Sequence, residues 1–140
     1  MGGTSGAIYG IFLNALALHI SRVASLSSAE TSTSRILAEA GVAALDDLCG
    51  YTTARVGHRT LMDALIPFVK NFGNSVSFPQ ALAAAEQGME GTRVMSAVLG
   101  RATYVDAEIL NKGRFPDPGA LGLISILKGI ENALGEKVSS

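Results

Sequence analysis

Apolar residues recur along most of this chain three or four positions apart, which is the spacing of an amphipathic α-helix. The longest such stripe predicts a helix from about Ser5 to Leu26. Its members are Ile8, Ile11, Phe12, Ala15, Leu16, His19 and Val23. The same segment is apolar on its other side, at Leu13, Ala17 and Leu18, which favours a central helix that its neighbours cover from several directions.

The same periodicity predicts further helices over residues 34–53, 60–73, 78–92 and 118–134. Residues 100–119 are expected to be loop with one or two helical turns, because they are polar and bracketed by glycine and proline. No stretch alternates apolar and polar residues as a half-buried strand does. The chain is therefore expected to be all-α, with helices packed on helices.

Local signals mark several helix ends. The segments 60–63 (TLMD) and 77–80 (SFPQ) both have the form of a capping box, in which side chain and backbone at a helix start exchange hydrogen bonds. Asp117 is placed as an N-cap ahead of a proline, whose missing N–H costs nothing at the first helical position. Gly135 is expected to end the last helix. Pro67 is expected to kink the third unless its position is locally accommodated.

Composition narrows the class of protein. A chain of 140 residues is one domain or part of one, and 48% hydrophobic against 16% charged residues favours a folded chain. The net charge is −1 and the basic residues are scattered, so no nucleic-acid surface is indicated. The longest apolar run, residues 7–20, is broken by Asn14 and His19 and is too short to cross a bilayer. We expect a soluble, cytoplasmic protein with no membrane partner.

The first residues carry the clearest candidate chemistry, because Gly2-Gly3-Thr4-Ser5-Gly6 leads directly into the first apolar helix. The first N–H groups of a helix have no partner inside it, and the helix dipole adds about half a positive charge there. Such an end binds anions, of which phosphate is the usual one. A Gly-Ser helix start also serves as a plain cap, so the motif alone leaves both interpretations open.

Other reactive side chains have structural explanations. His19 lies on an apolar stripe and is best explained as a core histidine, and the neighbouring Asp46 and Asp47 point about 100° apart, as on a solvated helix face. The single Cys49 cannot form an internal disulfide and is expected to be a small buried apolar residue. The P-loop, G-x-G-x-x-G, H-E-x-x-H and G-x-S-x-G motifs are all missing from the sequence, although a Ser-His-Asp triad stays open on composition alone.

Five short motifs occur in order along the whole chain, and together they carry a resemblance. They are GGTSGAIYG at 2–10, GHRTLMD at 57–63, GMEGT at 88–92, GRATY at 100–104 and DPGA at 117–120. In this order and spacing they resemble the nucleotide-binding L domain of dihydroxyacetone kinases. The resemblance implies an all-helical barrel of antiparallel helices that binds ATP or ADP at one end. Residues 1–140 are similar to the C-terminal part of that domain, which is then incomplete on its N-terminal side.

The resemblance also implies which residues contact the nucleotide. The glycine-rich loop and the first helical turn would contact the phosphates, and the residue one turn later would line the adenine pocket. The start of the third helix would add pocket wall, with leucine at position 61 in place of the commoner methionine. Two later loops would lie near the nucleotide, where the arginine could balance phosphate charge or pair with the aspartate. The residues are Gly3, Thr4, Ser5, Ile8, Thr60, Leu61, Arg101 and Asp117.

The chain also departs from the family's pattern. The Asp-rich segment that holds Mg²⁺ in the intact domain, and the K domain that binds dihydroxyacetone, have no counterpart in this sequence, so no catalytic residue or metal ligand is assigned here. We expect part of a kinase that transfers the γ-phosphoryl group of ATP to dihydroxyacetone, inactive alone. The alternatives are a non-catalytic helical interaction module and an ADP-binding L subunit of a phosphotransferase-type kinase. A chain lacking the first helices is expected to self-associate or to retain those helices as a separate peptide.

Overall fold

The computed structural model describes residues 3–95 and 115–138, with side chains as far as residue 135. Every regular element in those ranges is helical, which confirms the all-α prediction. The α-helices are α1 (Gly3–Leu26), α2 (Thr33–Tyr51), α3 (Met62–Ser75), α4 (Phe78–Gly91) and α5 (Pro118–Val138), and a 3₁₀ turn (Thr92–Val94) follows α4.

Consecutive helices pack on one another, α1 on α2, α2 on α3 and α3 on α4, and α5 lies against α3 and α4. The connections from α1 to α2 and from α3 to α4 are short, as in bundles of antiparallel neighbours, whereas residues 52–61 form a longer turn before α3. One hydrophobic cluster joins all five helices, with α3 at its centre. It includes Ile8, Leu45, Leu48, Leu61, Met62, Leu65, Leu82, Met89, Leu123, Ile124 and Leu127.

The helix α1 shows the predicted stripe but not the predicted burial. Every stripe member is buried or half-buried, whereas Leu13 and Leu18 on the other side are 56% and 58% exposed. Only Ile8 is fully buried, so the expectation of a central helix covered from several sides is wrong: among the described residues, α1 packs mainly on α2, and its first turns also lie near the starts of α3 and α5. His19 is satisfied as expected, since its Nε2 lies 2.7 Å from Oδ2 of Asp47 on α2.

By length and composition alone, α1 is also long and apolar enough to cross a membrane. It is a single helix of 24 residues, because neither Asn14 nor His19 interrupts it. The expectation that this segment is too short to span a bilayer is therefore wrong.

The helix α5 is buried in its first half only. Ala120, Leu123, Ile124 and Leu127 face the core as predicted, but Ile130 and Leu134 are 44% and 51% exposed. The helix also continues through Gly135 to Val138, so the predicted stop at that glycine is wrong. Both α1 and α5 thus present apolar side chains that no described residue covers.

The helix α3 accommodates its internal proline through a close contact with α4. Pro67 has no N–H for the carbonyl of Asp63, four residues earlier, yet α3 runs without interruption from Met62 to Ser75. Gly88 of α4 lies against that freed carbonyl: a Cβ added to Gly88 would stand 1.9 Å from the Asp63 oxygen. One Hα of Gly88 therefore points at the oxygen, in a weak C–H···O contact that partly replaces the missing bond.

The two predicted capping boxes differ in outcome. Asp63 accepts a hydrogen bond from the N–H of Thr60, as a capping box requires, while Thr60 Oγ1 accepts from the N–H of Met62 instead of Asp63. Ser77 is the N-cap of α4 but makes no side-chain capping bond, so the second box is not formed. The carboxylate of Asp63 is buried and serves two donors at once, whereas Gln80, its counterpart in the second segment, is exposed, and the N–H of Ser77 donates to Ser75 Oγ instead.

Candidate functional site

The first turn of α1 carries polar groups that no described residue engages. The helix begins at Gly3, whose φ of 71° suits glycine, so Thr4 and Ser5 lie inside the first turn rather than at the capping position. Their hydroxyls have no hydrogen-bond partner among the described residues. The turn holds no acidic residue. Its unpaired N–H groups and two available hydroxyls are the donors that a phosphate group requires.

The start of α5 is fixed by Asp117, as the sequence predicted. Asp117 Oδ2 accepts a hydrogen bond from the N–H of Ala120 at 2.9 Å, which is the bond of an N-cap. The backbone N–H of Asp117 donates to Thr92 Oγ1 at 2.7 Å. Burial raises the pKa of the Asp117 carboxyl, against the opposing effects of its backbone hydrogen bonds and of the Arg59 charge. This carboxyl is therefore part of a desolvated polar cluster.

The two helix starts meet at Gly119. A Cβ added to this glycine would lie 3.3 Å from Ser5 Oγ, 3.0 Å from Asp117 Oδ2 and 3.3 Å from the Cβ of Leu61. Side chains from α1, from the start of α3 and from the start of α5 thus converge on one small space that only glycine leaves open. Three of the predicted site residues are brought together here, although they are far apart in the sequence.

The turn before α3 is organised by the buried carboxylate of Asp63. Asp63 Oδ1 accepts from the N–H of Gly57 at 2.6 Å and Oδ2 accepts from the N–H of Thr60 at 2.8 Å. Between these two anchors, Arg59 adopts a left-handed backbone with φ of 55°, which costs a non-glycine residue about 1–2 kcal/mol. This conformation sends the Arg59 side chain into the protein, where it is 1% exposed.

The other predicted site residues occupy different surroundings. Ile8 and Leu61 are buried at 3% and 2% exposure in the same hydrophobic cluster. Thr60 is also buried, and its hydroxyl is engaged by the N–H of Met62. Gly3 and Thr4 are exposed in the first turn of α1. Arg101 lies outside the described residues.

Sequence reasoning missed three residues that shape this region, namely Gly119, Arg59 and Thr92. Each of them belongs to one of the five motifs, but the motifs predict no function for these three residues. The hydrogen bonds from Arg59, and the one from Asp117 to Thr92, join residues that are 25 to 56 positions apart in the sequence. The local spacing of residues cannot predict such contacts. The sequence feature that could have indicated them is an arginine, Arg59, between Gly57 and the capping residue Asp63.

Metal ligands are not grouped in this region. No set of three or more His, Cys, Asp or Glu side chains within residues 3–95 and 115–135 is arranged to hold a metal ion. The Asp63 and Asp117 carboxylates are instead engaged by backbone N–H groups. Among the described residues, this end of the molecule thus offers N–H and hydroxyl donors rather than a group of free carboxylates.

Comparison with known proteins places this sequence in a family. Residues 1–132 match the DAK2 domain. The dihydroxyacetone kinase of Komagataella pastoris is 44% identical over 137 residues, which cover 95% of this chain and 22% of that protein. Dihydroxyacetone kinase 2 of Saccharomyces cerevisiae is 45% identical over 139 residues, covering 96% of this chain and 23% of that protein.

More distant relatives share the same segment. The triokinase/FMN cyclase of Homo sapiens is 33% identical over 142 residues, which cover 96% of this chain and 23% of that protein. The chain thus spans less than a quarter of the length of the relatives it matches. With an all-helical fold and a family match over nearly its whole length, the chain belongs to the DAK2 domain family, the L domain of dihydroxyacetone kinases.

Proposed function

We propose that this chain supplies the phosphate-binding turn and part of the adenine pocket for ATP or ADP in a dihydroxyacetone kinase. The observation that carries the proposal is the convergence of two helix starts on Gly119, with Ser5 Oγ on one side and the Asp117 carboxylate on the other. The names of the relatives support the reaction class, transfer of the γ-phosphoryl group of ATP to dihydroxyacetone.

The first turn of α1 is the preferred place for the phosphates. Its N–H groups and the hydroxyls of Thr4 and Ser5 are all donors, and it carries no acidic residue that would repel an anion. The Asp117 carboxylate is an acceptor when ionised, so it suits a ribose hydroxyl rather than a phosphate oxygen. A nucleotide lying from Thr4 and Ser5 toward Asp117 satisfies both preferences.

The adenine wall would come from the apolar side chains behind Ser5. Ile8 lies one helical turn after Ser5 on the same side of α1, and the Cβ of Leu61 borders the space at Gly119. Both side chains are rigidly packed in the hydrophobic cluster. At 3% and 2% exposure they would form the apolar floor of the pocket rather than an open face, while Thr60 supports this floor by fixing the start of α3.

Catalysis would need groups beyond the residues that the structure describes. Phosphoryl transfer depends on positioning and on neutralising phosphate charge, which Mg²⁺ supplies when bound in the intact domain. The described residues do not form a metal site, and no residue here is assigned to dihydroxyacetone. We therefore propose that the chain is not a competent kinase by itself and acts with a dihydroxyacetone-binding K domain or subunit, in the cytoplasm.

The exposed apolar faces of α1 and α5 support a further partner. Leu13 and Leu18 on α1, and Ile130 and Leu134 on α5, face outward and are about half exposed. Burial of apolar area contributes roughly 25 cal/mol per Å², and soluble monomers rarely leave large contiguous apolar patches uncovered. We propose that these faces are covered by helices that precede this segment in the intact domain, or by a second copy of the chain.

Nuclear magnetic resonance titration with ADP tests the proposed site. The amides of Thr4, Ser5 and Ala120 should shift, while those in the last turns of α1 should not. Ser5→Ala should weaken binding, and Ser21→Ala on the same helix is the matched control, since its hydroxyl only donates to the carbonyl of Ala17. Absence of any shift at saturating ADP would favour the non-catalytic interaction module instead.

A further inference from the structure

Arg59 is a buried cation that the proposed nucleotide contacts do not use. Its Nη1 donates to the carbonyl oxygens of Thr92 at 2.7 Å and Met95 at 2.9 Å, and its Nη2 donates to that of Phe115 at 2.9 Å. Its Nε is buried with no hydrogen-bond partner in the part of the chain that the structure describes. Burying a guanidinium is unfavourable unless its N–H groups are bonded, so these three bonds hold the side chain inside.

The three acceptors of Arg59 belong to chain segments that are distant in sequence. Thr92 and Met95 follow α4, and Phe115 precedes α5. A single rigid guanidinium therefore fixes the end of α4 and the approach to α5 relative to the start of α3. Lysine could not do this, because an ammonium group on a flexible stem lacks the planar fork that reaches separate acceptors.

Thr92 connects this cluster to the start of α5. Its carbonyl accepts from Arg59, while its hydroxyl donates to the carbonyl of Met89 at 2.6 Å and accepts from the N–H of Asp117 at 2.7 Å. The residue is 0% exposed, so water cannot replace any of these bonds. The carbonyl and the hydroxyl of this buried threonine thus both hold neighbouring backbone in place.

We propose that Arg59 and Thr92 are positioning residues that place Asp117 and the first N–H groups of α5 against Ser5 for nucleotide binding. The chain of hydrogen bonds runs from Arg59 to the Thr92 carbonyl and from the Asp117 N–H to the Thr92 hydroxyl. Asp117 Oδ2 and Ser5 Oγ then lie on two sides of the space beside Gly119, 3.0 and 3.3 Å from where a Cβ would stand. The Arg59 charge also acts on the Asp117 carboxyl, opposing the effect of burial on it. The inference rests on the proposed function for its ligand, but the placement of α5 is measurable without any ligand.

The test compares two variants of one buried hydroxyl. Thr92→Val keeps the shape but removes the acceptor of the Asp117 N–H, whereas Thr92→Ser keeps the hydroxyl. Thr92→Val should speed hydrogen exchange of the Ala120 amide at least about tenfold, shift the Ser5 amide, and weaken ADP binding about three- to tenfold. Thr92→Ser should restore all three. A role in overall stability alone predicts lower unfolding temperature without a selective change at Ala120 and Ser5.

The matched control for Arg59→Lys is Arg55→Lys. Arg55 is exposed but also donates to three backbone carbonyls, those of Cys49, Thr52 and Ala54, at the end of α2 and just after it. Arg59→Lys should reproduce the effects of Thr92→Val, and Arg55→Lys should lower stability without them. If Arg59→Lys does not fold, the comparison of Thr92→Val with Thr92→Ser tests the positioning role by itself.

Two results would overturn the inference: an unchanged Ala120 exchange rate in Thr92→Val, or an Arg55→Lys variant with the same local effects. Wild-type protein that binds no ADP would refute the proposed function, while the exchange and amide-shift data would still decide the positioning role.

Discussion

Gly88→Ala probes the contact that lets α3 contain a proline. The added Cβ would stand 1.9 Å from the carbonyl oxygen of Asp63, 3.0 Å from its carbonyl carbon and 3.2 Å from Pro67 Cγ. Ordinary non-bonded contacts lie near 3.5–4.0 Å, and the nearest atom belongs to the backbone, so no side-chain rotation relieves the clash. The helices α3 and α4 must separate by more than 1 Å.

The cost can be set against the benefit of alanine in a helix. Overpacking a well-packed contact costs about 1–3 kcal/mol and sometimes more, and this clash is at the severe end. Alanine gains about 0.5–1 kcal/mol over glycine inside a helix. We therefore expect Gly88→Ala to lower the free energy of unfolding by about 2 kcal/mol or more, measured by urea denaturation.

Gly122→Ala on α5 is the matched control for this substitution. Its Cβ would meet nothing within 4 Å, and the residue is exposed. It should raise the free energy of unfolding by about 0.5–1 kcal/mol through helix propensity and the unfolded-state entropy. A Gly88→Ala variant as stable as Gly122→Ala would refute the close α3–α4 contact.

Three further predictions concern the site and the exposed faces. Ser5→Ala should change the free energy of unfolding by no more than about 0.5 kcal/mol, since Ser5 is not a cap; a loss of 1 kcal/mol or more would instead indicate a capping role. Burial raises the pKa of Asp117, so the folded state binds this proton more tightly than the unfolded chain. Its contribution to stability is then fullest below the ordinary value of about 3.9 and declines as pH rises through the raised pKa. In urea denaturation over that range, wild type should lose stability relative to Asp117→Asn, and parallel pH profiles would contradict this. Light scattering with mass spectrometry should find a dimer or a bound peptide covering α1, and a clean 14.4 kDa monomer would exclude both.

Residue spacing predicted the helices and their inward faces well, because local sequence determines both. The α1 stripe of Ile8, Phe12 and Leu16 is on the covered side, and Asp117 caps α5 as its place before a proline suggested. Spacing could not predict how much of α1 is covered. An apolar back face at Leu13 and Leu18 shows that a helix can be buried there, but not whether a neighbour is present.

The candidate site was only partly predictable, for a related reason. Ser5, Leu61 and Asp117 were placed near the nucleotide through the family resemblance, and the structure shows that they surround Gly119. The residues that hold this arrangement together, Arg59 and Thr92, act through backbone atoms far away in sequence. Hydrogen bonds to backbone carbonyls leave no side-chain pattern in the sequence, so only the folded structure reveals them.

We propose above all that this chain binds nucleotide phosphates through the first turn of α1, with no metal site among the residues that the structure describes. Calorimetric titration of the wild-type chain with ADP, in the presence and absence of Mg²⁺, tests it most directly. We predict measurable but weak binding, with affinities that differ by less than about twofold between the two conditions. Tight binding that requires Mg²⁺, or no binding under either condition, would contradict the account.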